Sequence, residues 1–169
     1  MLTTDQAAPG RALRGAAPPG APTEGRRMLT AIVEGDAVDP PAAGTLALPP
    51  ATDWAPGHVR CETVLGAEFT LTPGVVFGGW IACLVDHFAG LVMLSALPDT
   101  SGFLTAGLSV EYHAPLTPGP AVVETRLTRC TTRHALVTVE FHQDGTVAAT
   151  GSVEQIIHRR RPGGADAAE

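Results

Sequence analysis

The sequence predicts an α+β domain in which an antiparallel sheet wraps around one long buried helix. Three observations carry this. Val75 to Leu97 (VVFGGWIACLVDHFAGLVMLSAL) sets Trp80, Ile81, Leu84, Val85, Phe88, Leu91, Val92 and Leu94 on nearly every helical face, and a helix apolar all round belongs inside a core. One alternating run precedes it and four come after it, each with the period of a half-buried strand. A lone apolar helix among strands needs a sheet to bury it.

Taken in order, residues 1 to about 25 are rich in Ala, Pro and Gly without periodicity, the composition of a disordered leader. A single domain is expected over residues 26–158, with a flexible tail at 159–169. Glu24 to Glu34 reads as a short helix whose apolar stripe is Met28, Leu29, Ile32 and Val33. DPPAAG, from Asp39 to Gly44, reads as a break. Thr45 to Trp54 holds Pro49 and Pro50, which permit at most an edge strand. In HVRCETVL, Val59, Cys61 and Thr63 alternate with polar residues, and Ala67 to Leu71 is expected to extend that strand. Thr72-Pro73-Gly74 turns the chain into the central helix, which stops near Pro98.

The later strands form a meander. Phe103 to His113 is expected to place Leu104, Ala106, Leu108, Val110 and Tyr112 on one face. Ala121 to Arg129 shows Val123, Thr125 and Leu127 inward. Ala135 to His142 comes next with Val137, Val139 and Phe141, and Asp144-Gly145 is a hairpin signal leading into Thr146 to His158.

Composition bounds the function. The chain has 169 residues, 44% hydrophobic and 17% charged, which suits one domain with a real core. A net charge of −6 argues against nucleic acid as the main partner. All eleven basic residues are Arg, a sign of coding bias, and Arg159-Arg160-Arg161 reads as a solvated tail. Cys61, Cys83 and Cys130 show neither a metal spacing nor a disulfide framework, which points to a reducing, cytoplasmic setting. No signal peptide is evident. The helix, interrupted by Asp86 and His87, falls short of a charge-free span of about 20 residues and reads as core, not membrane.

Three stretches carry a resemblance: GHVRCE at 57–62, GVVFGGWIACLVDHFAG at 74–90 and TAGLSVEYHAPLTPG at 105–119. With MLTAIVEGDAVDPP upstream, the chain resembles a hotdog-fold acyl-thioester hydrolase of the phenylacetyl-CoA-thioesterase-like branch, over roughly residues 28–158. The motif of that family is His-Gly-Gly with an acidic residue at the ninth position after the His. Gly78 and Gly79 match the glycines and Asp86 the carboxylate. The resemblance implies a homodimer, or a dimer of dimers, with a continuous sheet and active sites at the interface. It implies that a glycine N–H from one helix start holds the thioester oxygen while the carboxylate comes from the partner's helix. Thr105 lies where a Ser or Thr often positions the attacking water. The chain departs at Phe77, which replaces the motif His, and at Leu71, where a polar Asn is common. Both changes make the site less polar.

The residues themselves leave alternatives beside these roles. Asp86 suits a general base or a nucleophile, or a structural carboxylate bonded to backbone. Gly78 and Gly79 suit an oxyanion donor, Gly79 above all, because the first N–H groups of a helix are unpaired and lie at its positive end. Close packing alone would also require glycine. Phe77 offers a flat wall for substrate or simply core. His87 lies about 100° around the helix from Asp86 and reads as a core or interface residue, or as a stand-in for the lost His. Thr105 is a water-holding hydroxyl or an ordinary strand residue. Metal binding by His113, His134 and His142 is not expected. Arg60, Arg126, Arg129 and Arg133 could meet phosphates or simply solvent.

The expected function is hydrolysis of an acyl-CoA or acyl-carrier-protein thioester, with no metal or redox cofactor, no nucleic acid and no membrane. The alternatives are lyase, addition or dehydration chemistry on an acyl thioester, and a non-catalytic acyl-ligand binder.

Overall fold

The structure, a computed structural model, describes residues 22–38 and 40–160. Nearly all of the expected leader, residues 1–21, and of the expected tail, residues 161–169, lies outside the described residues.

The chain opens with α1 (Glu24–Glu34), capped by the Thr23 hydroxyl and ended by Gly35 in the left-handed region (φ 79°). The expected break at Asp39 to Gly44 is instead largely a short helix, α2 (Pro41–Leu46), started by a proline at its first turn. Proline's fixed φ suits that position, so the same residue that reads as a breaker begins the element. Next come an edge strand β1 (Asp53–Ala55) and β2 (His58–Leu65), which buries Val59, Cys61 and Leu65. The expected extension of β2 does not occur. A 3-10 turn at Ala67–Phe69 leads into a small hairpin, β3 (Thr70–Thr72) and β4 (Val75–Val76). The core helix α3 therefore begins at Gly78 and ends at Ala96, three residues later than its apolar run.

Four strands complete the chain: β5 (Ser101–Tyr112), β6 (Gly119–Cys130), β7 (His134–Gln143) and β8 (Thr146–Arg159). The β7–β8 turn uses Asp144 (φ 51°) and Gly145 (φ 77°), the paired positive values of a two-residue hairpin. The six-stranded antiparallel sheet runs β1-β2-β6-β7-β8-β5. This corrects the simple meander: β5 pairs β8, not β6, and forms an outer edge. Among the described residues α3 is long and apolar enough to cross a membrane by composition, but 61% of that span is buried against the sheet. Phe88, Ile81, Leu84, Val85 and Val92 are fully covered and meet Val123, Val137, Val139 and Phe141 across the layer.

Two further details position the site. A bulge lies in β5 between Thr105 and Gly107, and a bulge reverses the facing of the residues beyond it. Phe103 and Thr105 therefore share the helix side with Leu108, Val110 and Tyr112, whose partners Val153, Gly151 and Ala149 are buried. The expected single face of Leu104, Ala106, Leu108, Val110 and Tyr112 is split accordingly. In addition, α1 is clamped onto the end of α3. A Cβ on Gly25 would lie 2.6 Å from the Leu94 carbonyl oxygen, Leu29 is fully buried, and buried Arg26 donates from Nε to the Ser95 carbonyl (2.9 Å).

Candidate active site

The helix α3 is not closed on every side. Gly79, Ala82, Cys83 and Gly90 are half-buried, and Asp86 between them is exposed. Their spacing of three and four residues makes one open stripe. The sequence pattern places Asp86 inside an apolar rod; in the single protomer it faces outward toward the β5 edge.

Asp86 has an ordered neighbour. Thr105 Oγ1 donates to Asp86 Oδ1 at 2.7 Å. Gln155, fully buried on β8, donates from Nε2 to Thr105 Oγ1 at 3.2 Å. A relay therefore runs from the sheet interior through the threonine to the carboxylate. Gln155 Oε1 also lies 3.4 Å from the threonine hydroxyl, but a hydroxyl holds only one proton, and the shorter 2.7 Å approach directs it at Asp86. Gln155 was missing from the sequence-based site. Its signal is a lone polar residue at an inward position of an alternating strand, between buried Val153 and Ile157.

The start of α3 forms the second part. Phe77 precedes the helix and provides no side-chain cap; its carbonyl accepts from Trp80 and Ile81. The N–H groups of Gly78 and Gly79 have no intrahelical acceptor at this position. The Phe77 ring packs directly over Gly79, where any Cβ would collide with it. Tyr112, at the end of β5, donates its hydroxyl to the Gly78 carbonyl at 2.6 Å. A Cβ on Gly78 would lie 2.9 Å from that hydroxyl, so a side chain at either glycine would have to displace its neighbour.

The remaining candidates lie away from Asp86, although His87 lines the apolar cavity described below. His87 bonds through Nε2 to the Pro49 carbonyl (3.1 Å) and meets Phe88 edge-on, turned toward the segment after α2. Leu71 is exposed on the β3–β4 hairpin. Arg60 and Arg126 pair with Glu124 on the outer face of β2 and β6. Burial pushes the Glu124 carboxyl up, but hydrogen bonds from His58 (2.5 Å) and Arg60 outweigh it and hold the group below the ordinary glutamate value.

Beside the open stripe lies an apolar cavity of about 700 Å³ between α1, α2 and α3. Met28, Ile32, Leu48, Gly90, Leu94 and Phe103 are among its walls. Gly90 is one turn beyond Asp86, about 6 Å along the helix. Phe103 is two residues before Thr105, about 7 Å along the strand.

The sequence profile of the thioesterase superfamily matches residues 73–150, the segment from the α3 entry through Asp86 and Thr105 into β8. The chain has the hotdog fold, and its residues 73–150 are similar to the thioesterase superfamily. A phenylacetic acid degradation-related protein of Ralstonia eutropha JMP134 is 25% identical to this hotdog chain, with a TM-score of 0.65 over 76% of this chain and 98% of that one. A thioesterase family protein of Silicibacter pomeroyi shares the hotdog fold at 16% identity and a TM-score of 0.66, over 78% and 99% of the two chains. A Streptococcus mutans UA159 protein bound to acetyl CoA shares it at 22% identity and a TM-score of 0.58, over 64% and 87%. No curated protein sequence matches the chain.

Proposed function

We propose that this hotdog domain hydrolyses acyl-CoA thioesters in a site shared by two protomers. The observation that carries the reading is a distance. Gly79 and Asp86 are seven residues apart on one rigid helix, about 10 Å. An oxyanion donor and a base acting on one carbonyl must each come within about 3 Å of the reacting atoms. On one helix that spacing separates the two groups along the axis, whereas two facing helices bring the donor of one opposite the base of the other.

The β5 edge supports that assembly. Every residue from Leu104 to Ser109 is exposed, and Leu104, Leu108 and Tyr112 are 64%, 42% and 50% exposed. A long apolar edge strand is a template for pairing with another chain. A second copy joined there would continue the sheet and bring its open α3 stripe opposite this one.

In the proposed reaction Asp86, held by Thr105, takes a proton from water as the oxygen attacks the thioester carbon. The partner's Gly79 N–H receives the charge on the carbonyl oxygen. Collapse of the tetrahedral intermediate breaks the C–S bond, and the proton passes to the departing sulfur. The products are one carboxylic acid and one thiol. CoA as the carrier is supported by similar structures that hold CoA and acetyl CoA. The cavity beside Gly90 and Phe103 suits a bulky apolar acyl group: two of its lining residues lie one turn and two strand residues from Asp86 and Thr105, and its α1 wall is fixed by Gly25 and Arg26.

The test is thiol release from phenylacetyl-CoA, acetyl-CoA and decanoyl-CoA by the wild type and Asp86→Asn. Release by the wild type that is lost in the variant supports the reading. Phe77, an apolar ring over the donor, favours one alternative, non-hydrolytic chemistry on the same thioester. Acyl-CoA consumed without free thiol would favour that alternative.

A further inference from the structure

We propose that Tyr112 is a positioning residue for the oxyanion donor: its hydroxyl, bonded to the Gly78 carbonyl, fixes and polarises the peptide unit whose N–H belongs to Gly79. The inference rests on the thioester reading above and adds a residue that neither the family motif nor the glycine pattern singles out.

The chemistry is that of a single amide. The Gly78 C=O and the Gly79 N–H belong to the same planar trans peptide and point from opposite edges of it. In the first turn of α3 the N–H points out of the helix start and the C=O points back along the axis. That carbonyl has two lone pairs, so the phenol can bind it in addition to the helical donor from the next turn. A donor on the oxygen draws charge through the amide and strengthens the N–H as a donor in turn, as chains of hydrogen bonds do.

The surroundings make Tyr112 fit for this. Its backbone is held in β5 opposite Ala149 of β8, so the hydroxyl is presented from the sheet. The 2.6 Å bond to Gly78 ties the sheet edge to the first turn of α3, a turn that no side chain caps. Gly78 leaves the approach open, since a Cβ there would sit 2.9 Å from the hydroxyl. Burial raises the Tyr112 phenol above its ordinary value, which keeps its proton in place. Phe77 supplies no polar atom at the helix start, so the phenol contributes there what the phenylalanine cannot.

The experiment compares wild type, Tyr112→Phe and a protein carrying 3-fluorotyrosine at 112, a stronger donor, at a pH where the fluorinated phenol keeps its proton. Turnover is measured with phenylacetyl-CoA and decanoyl-CoA, melting temperature by calorimetry, and the Gly79 amide by NMR of the ¹⁵N-glycine-labelled dimer. Tyr112→Phe should lower kcat about five- to tenfold, less than the ~100-fold or greater loss from deleting a donor outright. KM should stay within about twofold, the melting temperature should hold, and the Gly79 amide proton should shift upfield. 3-Fluorotyrosine should move that proton downfield and keep kcat at or above the wild-type value. An unchanged Gly79 amide in Tyr112→Phe overturns the proposal, as does a kcat that ignores both substitutions. If the wild type releases no thiol from either substrate, the hydrolase reading has failed, and the amide shifts alone decide the role of Tyr112.

Discussion

Thr105 Oγ1 donates to the Asp86 carboxylate across 2.7 Å, joining the middle of the core helix to the edge strand of the sheet. The threonine is itself held by buried Gln155, so the orientation of the carboxylate is anchored three groups deep. Replacing Thr105 with Val removes the hydrogen bond and keeps the shape. A positioned general base contributes about 100-fold or more, and losing its orienting hydroxyl should cost part of that, roughly tenfold in kcat. Thr105→Ser should restore most of it. Steady-state kinetics of the two variants check this, with Thr105→Val at wild-type rate as the contrary result.

Gly90 lines the apolar cavity, one turn along α3 from Asp86. A Cβ there meets nothing closer than Phe103 Cε2 at 3.8 Å, so a larger side chain extends into the cavity. Gly90→Leu should leave acetyl-CoA turnover near wild type and reduce decanoyl-CoA turnover about tenfold or more. The fold should not suffer, because replacing a helical glycine recovers up to about 1 kcal/mol of helix propensity. An acyl-CoA panel decides it; equal loss for short and long chains would separate the cavity from the acyl group.

Thr125 Oγ1 is a buried side-chain oxygen with no hydrogen-bond partner among the described residues. Its inward position on β6 is fully covered. Thr125→Val replaces the hydroxyl with a methyl group of similar size and removes an unsatisfied group worth about 1 kcal/mol or more. Calorimetry should show the melting temperature rising by about 2–4 °C.

Glu124 supplies the pH dependence. Its folded value is lowered, after burial is outweighed by His58 and Arg60. The unfolded chain therefore binds its proton more readily than the native state. The stabilisation is in place above the ordinary glutamate titration, near pH 4 to 5, and is lost as pH falls through the lowered folded value. The stability difference between wild type and Glu124→Gln should be largest at neutral pH and close below about pH 4. Urea titrations at a series of pH values measure it.

Cys61 is fully buried in β2, and burial pushes its thiol up to about 12, with Glu62 adding to the rise. Because the thiolate is the reactive form, iodoacetamide should leave Cys61 unlabelled in the native protein and label it after urea unfolding. Peptide mapping reads the result.

Local physics explains which elements could be read from the chain and which could not. α1 begins and ends where its stripe and the Gly35 turn require, and the Asp144-Gly145 hairpin arises from two residues that accept positive φ. Non-local features were hidden. Nothing in the run Phe103 to His113 reveals that β5 bonds to β8, or that its bulge turns Leu104 away from the face of Tyr112. Motif spacing singles out Asp86, but its exposure was not legible, since the α3 stripe is left open by how the sheet wraps it. Gln155 and Tyr112 were not among the sequence-based site residues, because each meets the site through a contact distant in sequence, with Thr105 and Gly78 respectively.

The central claim is that Asp86 of one protomer serves the same thioester as Gly79 of the other, and mixed dimers address it directly. Asp86→Asn removes the base, and Gly79→Pro removes the N–H in the first turn, where proline's fixed φ fits a helix, with Phe77→Ala alongside it to clear the ring that a Cβ at 79 would meet. Each variant alone should be nearly inactive in thiol release. Unfolded and refolded together, they should regain activity, because each mixed dimer then holds one site with both defects and one site with neither. A mixture that stays as inactive as its components, with mixed dimers demonstrated by mass spectrometry, would contradict a site built across two protomers.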